Sequence, residues 1–251
     1  MKSRRFFVEG EPLKPGERLV TGNRVKHLTR SLRLGVGDTV VLFDGRGREF
    51  PAEILEVRRQ LVRFKVAHGT EVNRESRLNL VLAQALTRPA TMDLIVQKVT
   101  ELGVNEVVPV NSERSQRWSA REKTVSKIKR WERIAQEAAR QSGRNEVPHI
   151  WPLTDLARLL ELTESAELKL IFWEETAEGS LRQILEAKGI CHHVCIFVGP
   201  EGGFSAKEVE QAVAAGFYKV SLGRRILRTE TAAITVVGLL QYEFGDLGLS
   251  P

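Results

Sequence analysis

Cysteine is nearly absent. Cys191 and Cys195 are the only two in 251 residues, too few for the disulfide framework of a small secreted scaffold. No apolar run approaches the roughly 20 residues that a membrane-spanning helix needs. The stretch from Met1 to Glu9 is basic but has no apolar core, so no secretory signal is expected there and the protein reads as cytoplasmic. Neither G-x-x-x-x-G-K-[ST] nor G-x-G-x-x-G occurs, which excludes a P-loop and a Rossmann dinucleotide site. Internal repeats and low-complexity tracts are missing too. The cluster Cys191-His192-His193-Val194-Cys195 invites a metal reading. In an extended strand, however, its two cysteines fall on one face about 13 Å apart, at ~3.3 Å per residue. One zinc needs both sulfurs ~2.3 Å away, so no metal is expected. The same scarcity of placed nucleophiles argues against Ser-His-Asp or Cys-His hydrolysis.

What the chain does have is concentrated in two stretches near its C-terminus. They are Val198-Gly199-Pro200-Glu201-Gly202-Gly203-Phe204-Ser205 and Leu222-Gly223-Arg224-Arg225-Ile226-Leu227-Arg228-Thr229-Glu230-Thr231-Ala232. Each follows an apolar strand-like run, Val194 to Val198 and Tyr218 to Leu222, and each precedes a helix. Three glycines and a proline within five residues force a sharp turn and let a ligand approach the backbone closely. Ser205 with Glu208 makes a capping box for a helix running to Ala215 and ended by Gly216. Two successive strand–loop–helix units point to one composite pocket at a sheet's C-terminal edge, although a Gly-Pro turn can also be purely structural. Met by backbone amides and apolar side chains, an adenosine-bearing ligand without phosphates suits such loops better than ATP or NAD.

The motifs G-P-E-G-G…E and L-G-x-R-I-L-R-x-E-T-A resemble those of the SPOUT superfamily of knotted methyltransferases. Within it, the chain is most similar to the bacterial family that methylates N3 of a uridine in small-subunit (16S) ribosomal RNA. The likeness extends in order through His27 to Arg33, Leu42-Phe43-Asp44-Gly45, Lys98 with Glu101 to Val104, Ser112-Glu113-Arg114, and Gln141 to Arg144 with Val147-Pro148. It implies S-adenosyl-L-methionine as methyl donor, a trefoil knot that holds it, and a homodimer. It further implies donor contacts from Phe172 and Trp173, from Val198, Gly199, Pro200, Glu201, Gly202 and Gly203, and from Leu222, Gly223, Arg225, Ile226, Leu227, Thr231 and Ala232.

The chain's charge is unevenly spread. Residues 1–70 hold 15 Lys/Arg and 8 Asp/Glu, a net +7, whereas residues 71–251 hold 23 and 24, a net −1. A concentrated basic field is the footprint of a phosphate-backbone binder, although it also describes a solvated face. The candidate RNA contacts are Arg4, Arg5, Arg30 and Arg33 in that region, with Arg88 and Lys98 beyond it. Lys98 and Glu101, at i,i+3, can equally form a surface ion pair.

Residues 1–70 carry short β-forming runs (39–43, 50–57, 61–66) separated by Asp44-Gly45, Gly47 and Arg58-Arg59-Gln60. They read as a small antiparallel barrel, PUA-like by the resemblance. Residues 71–76 are polar and unpatterned, hence a linker. From residue 77 to 251 strands alternate with helices, the pattern of a parallel sheet covered by helices. The fold class is therefore α/β, with a knotted SPOUT domain after a small β-barrel. A helix over 120–141 carries an apolar stripe of Val125, Ile128, Ala135, Ala138 and Ala139, opened by a capping box of Ser119 with Glu122. The last helix, from Thr231 to Leu240, is apolar nearly all round and predicts burial on most sides, by its own domain or by a second subunit.

At the edge where the parallel strands end stand Arg88, Arg114 and Trp173-Glu174-Glu175 beside the two signature loops. Methylating a uracil N3 requires loss of its proton, so an anion must be favoured. Arginine does this at any relevant pH, which makes Arg228 and Arg114 the catalytic candidates. Glu230 is either a base or the group that holds Arg228. Two other functions remain open at this point: ribose 2′-O-methylation by similar loops, and a non-catalytic ribosome-assembly factor.

Overall fold

The computed structural model describes residues 4–21, 34–72, 74–116, 121–173 and 179–248. Arg30 and Arg33, with the whole His27 to Arg33 motif, lie outside the described residues, as do Glu174-Glu175 and the Ser119 cap. The chain divides into two compact units, residues 1–75 with 139–147 and residues 76–138 with 148–251.

Among the described residues the first unit contains six strands: β1 (Arg5–Phe7), β2 (Gly16–Thr21), β3 (Thr39–Phe43), β4 (Arg48–Arg58), β5 (Leu61–Val66) and β6 (Thr70–Glu71). Their order is β1-β3-β4-β5-β2, with β6 paired to β4. The β1–β3 pairing is parallel and the others are antiparallel. Alternation along the strands places Leu42, Phe50, Ile54, Val62 and Phe64 in one apolar core. Residues 139–147 enter this unit through polar contacts. Arg5, only 7% exposed, pairs with Glu49 at 3.2 Å and donates to the Arg144 carbonyl at 3.0 Å and to Asn145 Oδ1. Arg144 in turn pairs with Glu75 at 2.7 Å. Desolvation lowers the Arg5 pKa from its ordinary value, and Glu49 opposes that. The expectation that Arg5 contacts RNA is corrected here: a guanidinium enclosed by the unit's own acceptors serves its interior.

The second unit is a seven-stranded sheet in the order β11-β13-β10-β12-β7-β8-β9, every adjacent pair parallel. The strands are β7 (Asn79–Ala85), β8 (Glu106–Val110), β9 (His149–Ile150), β10 (Leu168–Phe172), β11 (Gly179–Ser180), β12 (His193–Val198) and β13 (Tyr218–Ser221). The central β7 and β12 are apolar almost throughout because helices cover both faces. The helices of the described chain after residue 76 are α1 (Pro89–Glu101), α2 (Arg121–Ser142), α3 (Leu156–Leu162), α4 (Leu181–Lys188), α5 (Ala206–Ala214) and α6 (Thr229–Glu243). The capping box of Ser205 and Glu208 opens α5 as expected.

Two expectations need correction. Along α2 Val125 is exposed, and the buried stripe is Trp131, Ala135, Ala138 and Ala139. Trp131 is buried although Lys129, Arg130, Glu132 and Arg133 flank it in sequence. The last helix starts at Thr229, two residues early, so Glu230, Thr231 and Ala232 belong to its first turn. α6 is covered on most sides, as its composition predicts, and stays open along one stripe at helical spacing, Thr231, Thr235, Leu239 and Tyr242.

Candidate active site

Parallel strands all end on one edge, so their following loops converge there. β10 delivers Phe172 and Trp173, the latter's N–H bonded to the Val220 carbonyl at 3.1 Å. β12 delivers the Gly199–Gly203 turn, closed by Gly203 N–H to Pro200 O at 3.0 Å. Gly203 has φ +68°, a conformation that glycine adopts without strain. β13 delivers the arginine-rich loop, which turns at Gly223 with φ +101°.

Buried polar side chains knit these loops together. Gln84 is fully buried near the end of β7. Its Nε2 donates to the Gly199 carbonyl at 3.3 Å and to Thr229 Oγ1 at 3.1 Å. Thr229 Oγ1 donates to the same Gly199 carbonyl at 2.6 Å. The Arg88 N–H meets Glu201 Oε1 at 3.2 Å, and Arg114 Nη1 donates to the Gly202 carbonyl at 3.3 Å.

The loops enclose a cleft of about 620 Å³. Phe172, Trp173, Val198, Gly199, Pro200, Glu201, Gly203, Leu222, Gly223, Arg225, Ile226, Leu227 and Ala232 line it, with Arg88, Arg114, Arg228 and Glu230. Gly202 and Thr231 are not among its lining residues. A Cβ on Gly202 would stand 3.3 Å from Arg114 Cβ, so the missing side chain makes room for Arg114. Arg228 is 86% exposed and Glu230 22%, and their 4.0 Å separation is a loose pairing. Arg228 stands at the N-cap position of α6 and makes no side-chain cap, as a guanidinium carries only donors. Lys98 lies outside the cleft, its ammonium 2.9 Å from both Glu101 carboxylate oxygens. Arg4 pairs with Asp38 at 3.6 Å.

Sequence reasoning missed Gln84, Thr229 and the second role of Glu208, whose Oε1 accepts from the Glu113 N–H at 2.8 Å. Gln84 did leave a signal, a lone amide in the run Leu80-Val81-Leu82-Ala83-Gln84-Ala85-Leu86. Cys195 is buried, which pushes its thiol up to about 12. Among the described residues no group of three His, Cys, Asp or Glu is placed to hold a metal ion, and no helix is long and apolar enough to cross a membrane.

A parallel α/β unit with an arginine-rimmed cleft at its loop edge has the form of a nucleic-acid-modifying enzyme. Residues 74–241 match the RNA methyltransferase domain family, and residues 20–67 match the RNA methyltransferase PUA domain. The chain belongs to this RNA methyltransferase family. A ribosomal RNA small subunit methyltransferase E from Bacillus subtilis is 31% identical over 228 residues, 89% of each chain. Among solved structures, a Legionella pneumophila protein determined with bound SAM superposes with a TM-score of 0.91. It is 35% identical, over 98% of this chain and 100% of that one. A ribosomal RNA small subunit methyltransferase E from Neisseria gonorrhoeae, bound to S-adenosyl methionine, gives 0.87 at 33% identity, over 98% and 99%.

Proposed function

We propose that the protein transfers the methyl group of S-adenosylmethionine to N3 of a uridine in small-subunit ribosomal RNA. The observation that carries this reading is the meeting of three loops and the Arg114 and Arg228 side chains in one cleft. The residues present suit the donor. Val198, Leu222, Leu227 and Trp173 offer apolar walls, and Glu201 and Glu230 complement a cation. The cleft's volume falls within the ~300–1,000 Å³ usual for small-molecule sites. Bound there, the donor supplies an electrophilic methyl carbon on a sulfonium.

The chain's own groups do the rest. Arg88, Arg224 and Arg225 at the mouth attract the polyanion. Arg228 and Arg114 favour the uracil anion formed when the N3 proton leaves to solvent, their positive charge facing the flanking carbonyl oxygens. Holding acceptor and donor in line, as the N3–C bond forms and the S–C bond breaks, can account for several kcal/mol of the barrier. Glu230 serves to orient Arg228.

The architecture follows the same reading. The RNA-positioning domain occupies residues 1–70, a β-barrel in form, and is joined through 71–76 to the transfer domain of 77–251, whose residues 139–147 pack with the first unit. The family matches over 20–67 and 74–241 support this division. A trefoil knot is supported by β13 lying between β11 and β10 while Thr229, just after it, binds back to Gly199. The exposed stripe on α6 supports a homodimer, and a ribosomal RNA substrate supports a cytoplasmic location.

Labelled donor incubated with deproteinised 16S RNA tests the reading. N3-methyluridine in the nucleoside digest is the expected product. A methylated ribose, which blocks alkaline cleavage, or the absence of transferred label with every form of the small-subunit RNA, overturns it.

A further inference from the structure

The helix-capping glutamate Glu208 has one oxygen more than capping uses. Its Oε2 accepts from the Ser205 N–H at 2.9 Å and from Ser205 Oγ at 3.1 Å, which completes the capping box. Its Oε1 reaches 95 residues back along the chain to the Glu113 N–H at 2.8 Å. Glu208 is only 7% exposed, so neither link is readily replaced by water. The turn it grips is already stiff: Ser112 N–H donates to Ser115 Oγ at 3.0 Å, and the two hydroxyls are 2.9 Å apart. The next residue in that turn is Arg114, which bonds to Gly202 O and packs where Gly202 lacks a Cβ.

We infer that Glu208 is a positioning residue for the transfer reaction, fixing the Arg114 turn and the Gly199–Gly203 loop at one spacing through the two oxygens of a single carboxylate. The inference rests on the reading that this cleft carries methyl transfer. Arg114 can favour the developing anion only from a fixed place, and a displacement of about 1 Å can cost on the order of 100-fold in rate. The carboxylate is the right group because both oxygens must accept. An amide in its place turns a donor toward one of the two N–H groups, so one link breaks in either orientation.

Glu208→Gln tests this without removing volume. The expected result is a fall in kcat of about 10- to 100-fold, with KM for RNA and for donor changed by less than about threefold. In an Arg114→Ala background the same substitution should add less than about twofold, since the group being positioned is gone. Hydrogen exchange over residues 112–116 should accelerate in Glu208→Gln whether or not methyl transfer is detected. If the wild type transfers no methyl group, the functional reading fails and the exchange result alone decides whether Glu208 fixes the turn. Unchanged exchange at 112–116, unchanged kcat in an active enzyme, or full additivity with Arg114→Ala overturns the inference.

Discussion

Replacing the Thr229 hydroxyl tests how the loops are held together. Thr229→Val keeps the side chain's shape and removes one polar atom. That atom donates to the Gly199 carbonyl at 2.6 Å and accepts from Gln84 Nε2 at 3.1 Å, and the residue is buried. Two hydrogen bonds disappear, but Gly199 O keeps a 3.3 Å contact from Gln84 Nε2, so neither partner is wholly orphaned. The cost should sit in the middle of the usual range for buried hydrogen bonds, about 2 kcal/mol. In a chain of this length that lowers Tm by about 4–8 °C. The loops it joins wall the same cleft, so about tenfold in donor affinity should be lost as well, equivalent to ~1.4 kcal/mol of pre-ordering. Differential scanning fluorimetry and calorimetric titration of S-adenosylmethionine measure the two effects. Thr229→Ser keeps the hydroxyl and should bind donor within about twofold of wild type. If Thr229→Val melts and binds like wild type, or if Thr229→Ser loses as much affinity, the loops are held by other means.

Arg224→Ala and Arg225→Ala should each reduce the slope of log K against log salt for RNA binding by about 0.7; an unchanged slope in the double variant would remove them from the RNA path. Arg5→Ala removes the buried partner of Asn145 and one of two partners of Glu49, which keeps Arg74 at 2.9 Å, and should cost about 2 kcal/mol in denaturant melts, whereas Lys98→Ala should cost less than about 0.5 kcal/mol because its pair with Glu101 is half-exposed. Burial raises the Cys195 thiol to about 12 and also raises Cys191, where the Glu167 charge adds to it. Both thiols should therefore react slowly with Ellman's reagent at pH 8 and rapidly in guanidinium; the stability linked to these raised values is present below the ordinary thiol range and is lost as pH climbs from there toward about 12. Leu239→Arg on the exposed stripe of α6 should convert a two-chain mass in light scattering to one; a wild-type protein that runs as a single chain would dismiss the dimer.

Much of the transfer domain was legible because its signals are local. The capping box of Ser205 and Glu208 needs only three residues of separation to declare a helix start, and it stands where expected. The apolar runs of β7 and β12 announced strands buried on both faces, and the strand–helix alternation announced parallel pairing. Two short elements, β9 and α3, gave no comparable signal, since two residues of strand and seven of helix carry too little periodicity to register. Charge was legible as a count but not as exposure. Arg4 and Arg5 are adjacent and chemically identical, yet one is largely exposed beside Asp38 and the other is enclosed by Glu49, Arg144 and Asn145.

By itself the sequence determined which of the longer segments become strands and helices, which loops carry glycine and arginine, and that those loops lie at strand C-termini. Each of these follows from steric preference and periodicity within a few residues. The tertiary structure decided which strands are neighbours, and therefore that loops starting at Phe172, Gly199 and Leu222 wall one cleft. It also decided that Gln84, Thr229 and Glu208 spend their polar atoms holding those loops, and that residues 139–147 pack with the first unit. These are contacts between residues from 30 to 145 positions apart, and no local preference encodes such a pairing. They exist because closing the chain buried those groups, and a buried polar group must find its partner wherever the fold brings one.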